Sequence, residues 1–174
     1  MWNDYENDTL IHHHIMATIY KKRYQRASDF QNSLYRLFGL ITVISSTGAS
    51  TISWGSDDSN QDFIRLLTTI SAVSSAILNF YKFQELSHNF TNTAKQYALL
   101  QNKIELIGNI HPHNRSQEPT ECFIDIQIDF DNLSKKRTEI SNCMSHIFYN
   151  KKKDTISYLK EKHKTMTEMK IIHV

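Results

Sequence analysis

The chain has 174 residues, with 20 basic and 18 acidic side chains and a net charge of +2. Because these charges are mixed along the chain rather than gathered on one face, composition argues against a nucleic-acid partner. Four glycines and two prolines leave few helix breakers, so we expect an all-α fold of long helices.

The first predicted element is an amphipathic helix within residues 1–36. Ile11, Ile15 and Ile19 recur every four residues, and a basic run over residues 21–26 follows them. This pattern fits either a helix lying on a membrane surface or an ordinary helix packed on its neighbours. The run His12–His14 cannot bind one ion, since consecutive helical residues point about 100° apart, and we interpret it as surface polar residues.

Residues 37–82 predict a transmembrane helical hairpin. Residues 37–56 carry no charge and are about long enough to cross hydrocarbon, whereas the second span, residues 66–81, is shorter than the ~20 residues usually needed. The polar turn between them has three Asp and neither Lys nor Arg, while basic residues flank the hairpin's outer ends. The positive-inside rule therefore places both termini in the cytoplasm, with Arg65 as the one residue that disagrees.

Each predicted span has a stripe of hydroxyl and small side chains. The stripe positions are Thr42, Ser46 and Ser53 on the first span, and Thr68, Ser71, Ser75 and Asn79 on the second. Such stripes let two helices pack closely, or they line a water-filled pore when several hairpins associate. A third alternative is a soluble bundle in which both segments are core helices.

Residues 83–150 predict a cytoplasmic antiparallel helical hairpin with a loop at 108–121, and residues 151–174 form a basic tail. Apolar residues at three-four spacing form a seam for helix pairing or oligomer assembly: Phe90, Tyr97, Leu100 and Ile104 on the first helix, and Phe130, Leu133, Ile140 and Met144 on the second. Residues 123–130 also alternate like a strand, but the register continuing past Leu133 favours a helix.

No familiar reaction chemistry is visible in the chain. GxSxG, P-loop, GxGxxG and HExxH patterns are absent, and Cys122 and Cys143 lack CxxC spacing. The acidic cluster around Asp129 lacks the Gly and the terminal Glu of a calcium loop. We therefore expect no enzyme, no catalytic residue, no metal site and no cofactor.

The layout over roughly residues 10–107 resembles the SLATT family of two-span membrane proteins. The resemblance lies in a leading helix, the two spans and the continuation Phe90-x3-Ala94-x2-Tyr97-x2-Leu100-x3-Ile104. It implies a homo-oligomeric, pore-forming effector in the lipid bilayer, commonly controlled by a separate nucleotide-signalling partner. The rival interpretation is a structural protein of a virion or organelle membrane whose cytoplasmic helices bind a capsid or scaffold protein.

Overall fold

The computed structural model describes residues 4–55, 61–110 and 118–136, and the regular structure within these ranges is entirely helical. The helices are α1 (Asp4–Gly55), α2 (Gln61–Tyr81), α3 (Phe83–Asn109) and α4 (Pro119–Lys136). The all-α prediction is confirmed, and the strand-like residues 123–130 lie inside α4. Several predicted features lie outside the described residues: Ile140, Met144, Cys143, the tail 151–174 and much of both connecting segments.

Helix α1 continues through the predicted boundary between residues 36 and 37. It has 52 residues and no proline, so no backbone donor is missing along its length. The side-chain composition changes near Leu37, but the backbone has no reason to end there. The predicted N-terminal helical region and the first predicted span are therefore parts of one helix, and the division between them stays a prediction.

Two compact units share these helices. The hairpin unit comprises the described residues within 28–88, and the three-helix unit comprises the described residues within 1–27 and 89–136. Parts of α1 and α3 belong to each. The N-terminal part of α1 packs with α3 and α4.

The three-helix unit has a conventional apolar core. Its central cluster consists of Leu10, Ala17, Leu100, Ile104, Cys122 and Ile126, with Phe123, Phe130 and Leu133 packed against it. Ile11 and Ile15 are also buried, so this stripe faces protein, as the packed-helix interpretation requires. All four seam residues of α3 are buried, and the described seam residues of α4 pack on the same core. These side chains pair helices within one chain.

Polar side chains fix the register of the three helices. Gln101 accepts a hydrogen bond from Lys21 Nζ at 3.2 Å, and its Nε2 lies 3.4 Å from His14 Nε2. Lys103 Nζ on α3 pairs with Asp129 Oδ2 on α4 at 2.6 Å. The prediction that the whole histidine run lies at the surface is wrong for His14, which is buried because it follows Ile11 by one helical turn on the packed face.

The start of α4 is fixed by its sequence. Pro119 is the first helical residue, a position where its missing N–H costs nothing and its fixed φ suits the helix. The N–H of Cys122 then donates to the carbonyl of Glu118 at 3.1 Å. This turn places Cys122 and Ile126 on one face, toward the core.

Replacing a core side chain should weaken this unit far more than replacing an outward one. Ile104 is 1% exposed and Leu106 is 69% exposed on the same helix. We expect Ile104→Ala to lower the free energy of unfolding by about 2–5 kcal/mol, because it leaves a cavity, and Leu106→Ala to change it by less than about 1 kcal/mol. Native-state hydrogen exchange of the α3 amides would measure both, and equal losses would contradict the assigned core.

Candidate functional site

The hairpin unit buries small and hydroxyl side chains and exposes large apolar ones. Ser45 and Ala49 of α1 and Ser74 of α2 are buried. The exposed apolar set is Leu37, Leu40, Val43, Ile44, Phe63, Leu66, Ile70, Val73 and Phe80. A protein folded in water places its large apolar side chains in the interior, so this unit has the opposite polarity.

Two contacts show how closely α1 and α2 approach each other. Ser71 Oγ donates to the backbone carbonyl of Thr42 at 3.4 Å. A Cβ added to Gly48 would lie 3.5 Å from Leu67 Cδ1, which is ordinary van der Waals contact, whereas one added to Gly39 would have no neighbour within 4 Å. Gly48 therefore lies at the helix contact and Gly39 does not.

A groove with a volume of about 580 Å³ runs along this helix pair. Its lining consists of Thr42, Ser46, Ala49, Ser50, Ser53, Ile64, Thr68, Ser71, Ala72 and Ser75. The two predicted stripes therefore converge on one surface, with the exception of Asn79, which is exposed and lies outside the lining. Sequence reasoning missed Ser45 and Ser74 because each lies beside a stripe rather than on it.

Several hydroxyls of the groove donate to their own helix. Thr42 donates to the carbonyl of Phe38 at 2.9 Å, and Ser46 donates to that of Val43 at 3.0 Å. Thr68 lies 3.0 Å from the carbonyl of Ile64. These bonds satisfy the hydroxyl hydrogens without water, so these side chains can be placed against another helix or in a non-aqueous environment.

The open end of the hairpin, where α1 meets the start of α3, is held by serines and aromatic rings. Ser28 Oγ donates to the carbonyl of Ser87 at 3.0 Å, and Ser87 Oγ donates to that of Ser28 at 3.1 Å. Phe38 and Phe83 stack with ring centroids 5.9 Å apart, and Tyr81 stacks on Phe83 at 5.5 Å. Helices α1 and α3 are thus joined by hydrogen bonds from serine hydroxyls to backbone carbonyls and by ring stacking.

Lys82 interrupts the helix that was predicted to continue from the second span. Its φ is 45°, in the left-handed region that a residue with a Cβ seldom adopts. The Leu86 N–H still donates to the Lys82 carbonyl at 3.1 Å, so α3 begins immediately. The break coincides with the burial of Phe83, whose neighbours on either side are exposed.

One stretch of the described helices is long and apolar enough to cross a membrane. It is Gln61–Asn109, which comprises α2, Lys82 and α3; its mean hydropathy is 1.5 over the best window, and 6% of that window is buried. This stretch contains the second predicted span, although that span is the shorter of the two. The length and hydropathy of the described helices do not confirm the first predicted span.

No protein-family model, curated protein or solved structure matches this chain.

The close helix contact predicts a sharp difference between neighbouring positions of α2. Ser74 is 5% exposed, and Val73 is 53% exposed. Ser74→Leu should destabilise the hairpin by about 1–3 kcal/mol because α1 leaves no room for the larger side chain. Val73→Leu should leave stability nearly unchanged. Unfolding in detergent micelles, followed by circular dichroism, would compare them, and equal midpoints would show that α1 and α2 are not in contact at Ser74.

Proposed function

We propose that the hairpin unit is embedded in a lipid bilayer and that several copies of the chain associate into a pore, as a membrane effector of the SLATT type. The observation that carries the proposal is the polarity of the unit: large apolar side chains point outward and hydroxyls face the groove. In a bilayer the outward surface is satisfied by lipid, and small residues allow helices to pack. In water, the same surface would favour aggregation.

The dimensions support a membrane-spanning arrangement. The 21 residues of α2 extend roughly 31 Å at about 1.5 Å per residue, close to the ~30 Å of a hydrocarbon core. The stacked rings of Phe38, Phe83 and Tyr81 lie at one end, together with the exposed Arg36 and Lys82. Aromatic and basic side chains are typical of the interface between lipid and water.

A pore, rather than a lone hairpin, accounts for the groove. Ser46, Ser50, Ser53 and Thr68 line it and remain exposed. A single hairpin would present this polar surface to lipid. Several hairpins arranged with their grooves around one axis would enclose water there instead, while the outward apolar residues faced lipid. Control by a nucleotide-signalling partner belongs to the same proposal and rests on the family resemblance.

In this arrangement both termini are cytoplasmic and the turn at 56–60 lies on the other side. Arg65, the residue that disagrees with the positive-inside pattern, is 3.4 Å from Asp62 at the same end of α2. The carboxylate of Asp62 offsets the positive charge of Arg65 near this end of α2, although two such exposed groups interact only weakly. The remaining flanking basic residues lie on the cytoplasmic side.

A structural role is the second candidate, and exposed apolar residues of the three-helix unit favour it. Leu99 and Leu106 share one face of α3, Ile110 follows the end of that helix, and Ile124 and Ile128 point outward from α4; all five are exposed. A capsid or scaffold protein of a virion or organelle could bind there. Liposomes that never leak, combined with specific co-sedimentation of the chain with such a partner, would replace the pore proposal with this one.

Filling the groove should block ion flux. We expect the double variant Ser46→Leu and Ser50→Leu to insert into liposomes normally, because both residues line the groove and are exposed, but to conduct at least about tenfold less, because branched apolar side chains exclude water from the hydroxyl-lined surface. Thr69→Leu is the matched control, since Thr69 is exposed and is not part of the groove lining. Flux that survives in the double variant would place the conducting path elsewhere.

The orientation can be tested separately. The acceptor sequences at Asn7, Asn89, Asn114 and Asn132 should remain unglycosylated in microsomes, because all lie on the proposed cytoplasmic side. With Cys122 and Cys143 changed to Ser, Asp58→Cys should react with an impermeant maleimide from the opposite side of the membrane. Glycosylation at any acceptor, or labelling of Asp58→Cys only from the cytoplasmic side, would reverse the proposed orientation.

A further inference from the structure

The three-helix unit contains a cleft of about 270 Å³ between α1 and α4, with α3 at its base. Its aromatic lining includes His13 and Tyr20 of α1, Tyr97 of α3 and Phe130 of α4. Tyr97 is 1% exposed, so it forms the floor. None of the residues that line the cleft lines the groove of the hairpin unit.

The aromatic rings hold one another in place. The centroids of Tyr20 and Tyr97 are 5.1 Å apart, those of Tyr97 and Phe130 are 6.2 Å apart, and those of His13 and Phe130 are 5.8 Å apart. The His13 ring is also fixed from behind, because its Nδ1 lies 2.8 Å from the Thr9 carbonyl. Such mutual packing organises the lining before a ligand arrives, which lowers the entropic cost of binding.

The described lining of the cleft contains one carboxylate, together with His12 and His13. Asp131 is the only carboxylate among the described lining residues, and none of those residues is Lys or Arg. Gln127 Nε2 donates to Asp131 Oδ1 at 3.1 Å, which holds the carboxylate along the face of α4. The nearest basic position along α4 is Lys135, one helical turn beyond Asp131 and outside the lining.

We propose that this cleft binds a small alkylammonium cation. Aromatic rings together with a carboxylate are the combination that recognises quaternary ammonium groups, because the ring faces carry negative potential and the apolar surface accepts the methyl groups. An anion would find neither Lys nor Arg in the described lining. A bare metal ion would find no cluster of three ligating side chains among the described residues. The volume suits a small head group rather than an extended ligand.

Calorimetric titration of the full chain in maltoside micelles with tetramethylammonium chloride tests the proposal. We expect saturable binding that Asp131→Asn weakens by about tenfold and Lys135→Gln strengthens, because the first removes the counter-charge and the second removes a competing cation. Glu121→Gln is the matched control: Glu121 is an exposed acid of α4 that does not line the cleft. An equal loss of tetramethylammonium affinity in Glu121→Gln would show that general surface charge causes the effect, and it would contradict the proposed site.

The aromatic contribution needs its own variant. Tyr20→Leu keeps every charge and should weaken tetramethylammonium binding several-fold, while potassium at equal concentration should not compete. Unchanged circular dichroism of each variant shows that the helices are intact. The absence of saturable binding by the native chain, or full competition by potassium, would overturn the proposal.

The alkylammonium group could be free or part of a lipid. Choline chloride in micelles tests the free ligand, and nanodiscs of phosphatidylcholine compared with phosphatidylglycerol test the head group. Protection of the Phe130 amide from hydrogen exchange in choline chloride identifies the free ligand, and protection in the phosphatidylcholine discs identifies the lipid head group. In either case the protection should be lost in Asp131→Asn. Equal protection in the phosphatidylglycerol discs would show that no ammonium group is recognised.

Discussion

The close contact between α1 and α2 through small side chains is the constraint on which the rest of the hairpin depends. Ser45, Ala49 and Ser74 are buried there, and the Ser71 hydroxyl reaches the backbone of α1. Once small residues occupy the contact, the large apolar residues of the same helices must point away from it. The outward apolar surface is therefore a geometric consequence of the contact, and it is the surface that the proposed lipid environment would cover.

Helix α1 follows the opposite rule in the three-helix unit, where it packs with α3 and α4. In the three-helix unit, Leu10 and Ile15 of α1 and Ile104 of α3 are almost fully buried, and polar groups such as Gln101 make cross-helix hydrogen bonds that fix the register. Burial of these side chains is the conventional source of stability in water. Along α1, large apolar side chains are thus buried in the three-helix unit and exposed in the hairpin unit.

Periodicity predicted more of this architecture than composition did. The three-four spacing of Phe90, Tyr97, Leu100 and Ile104 identified the packed face of α3, and the hydroxyl spacing identified most of the groove. The change in composition at residue 37 does not mark a helix end, because the loss of charged side chains there does not interrupt backbone hydrogen bonding. The sequence does not mark Lys82 as a break, since it is not a Gly, Asn or Pro, although its φ is positive.

The hydroxyls that donate to their own helix have a consequence for what the groove offers to a solute. When Thr42, Ser46 and Thr68 commit their hydrogens to backbone carbonyls, the oxygen lone pairs are what remains available to the groove. A surface of lone pairs carries partial negative charge and solvates positive ions in place of water. A conduit with this lining would therefore discriminate by charge sign, admitting cations in preference to anions, with no ionised side chain along its wall.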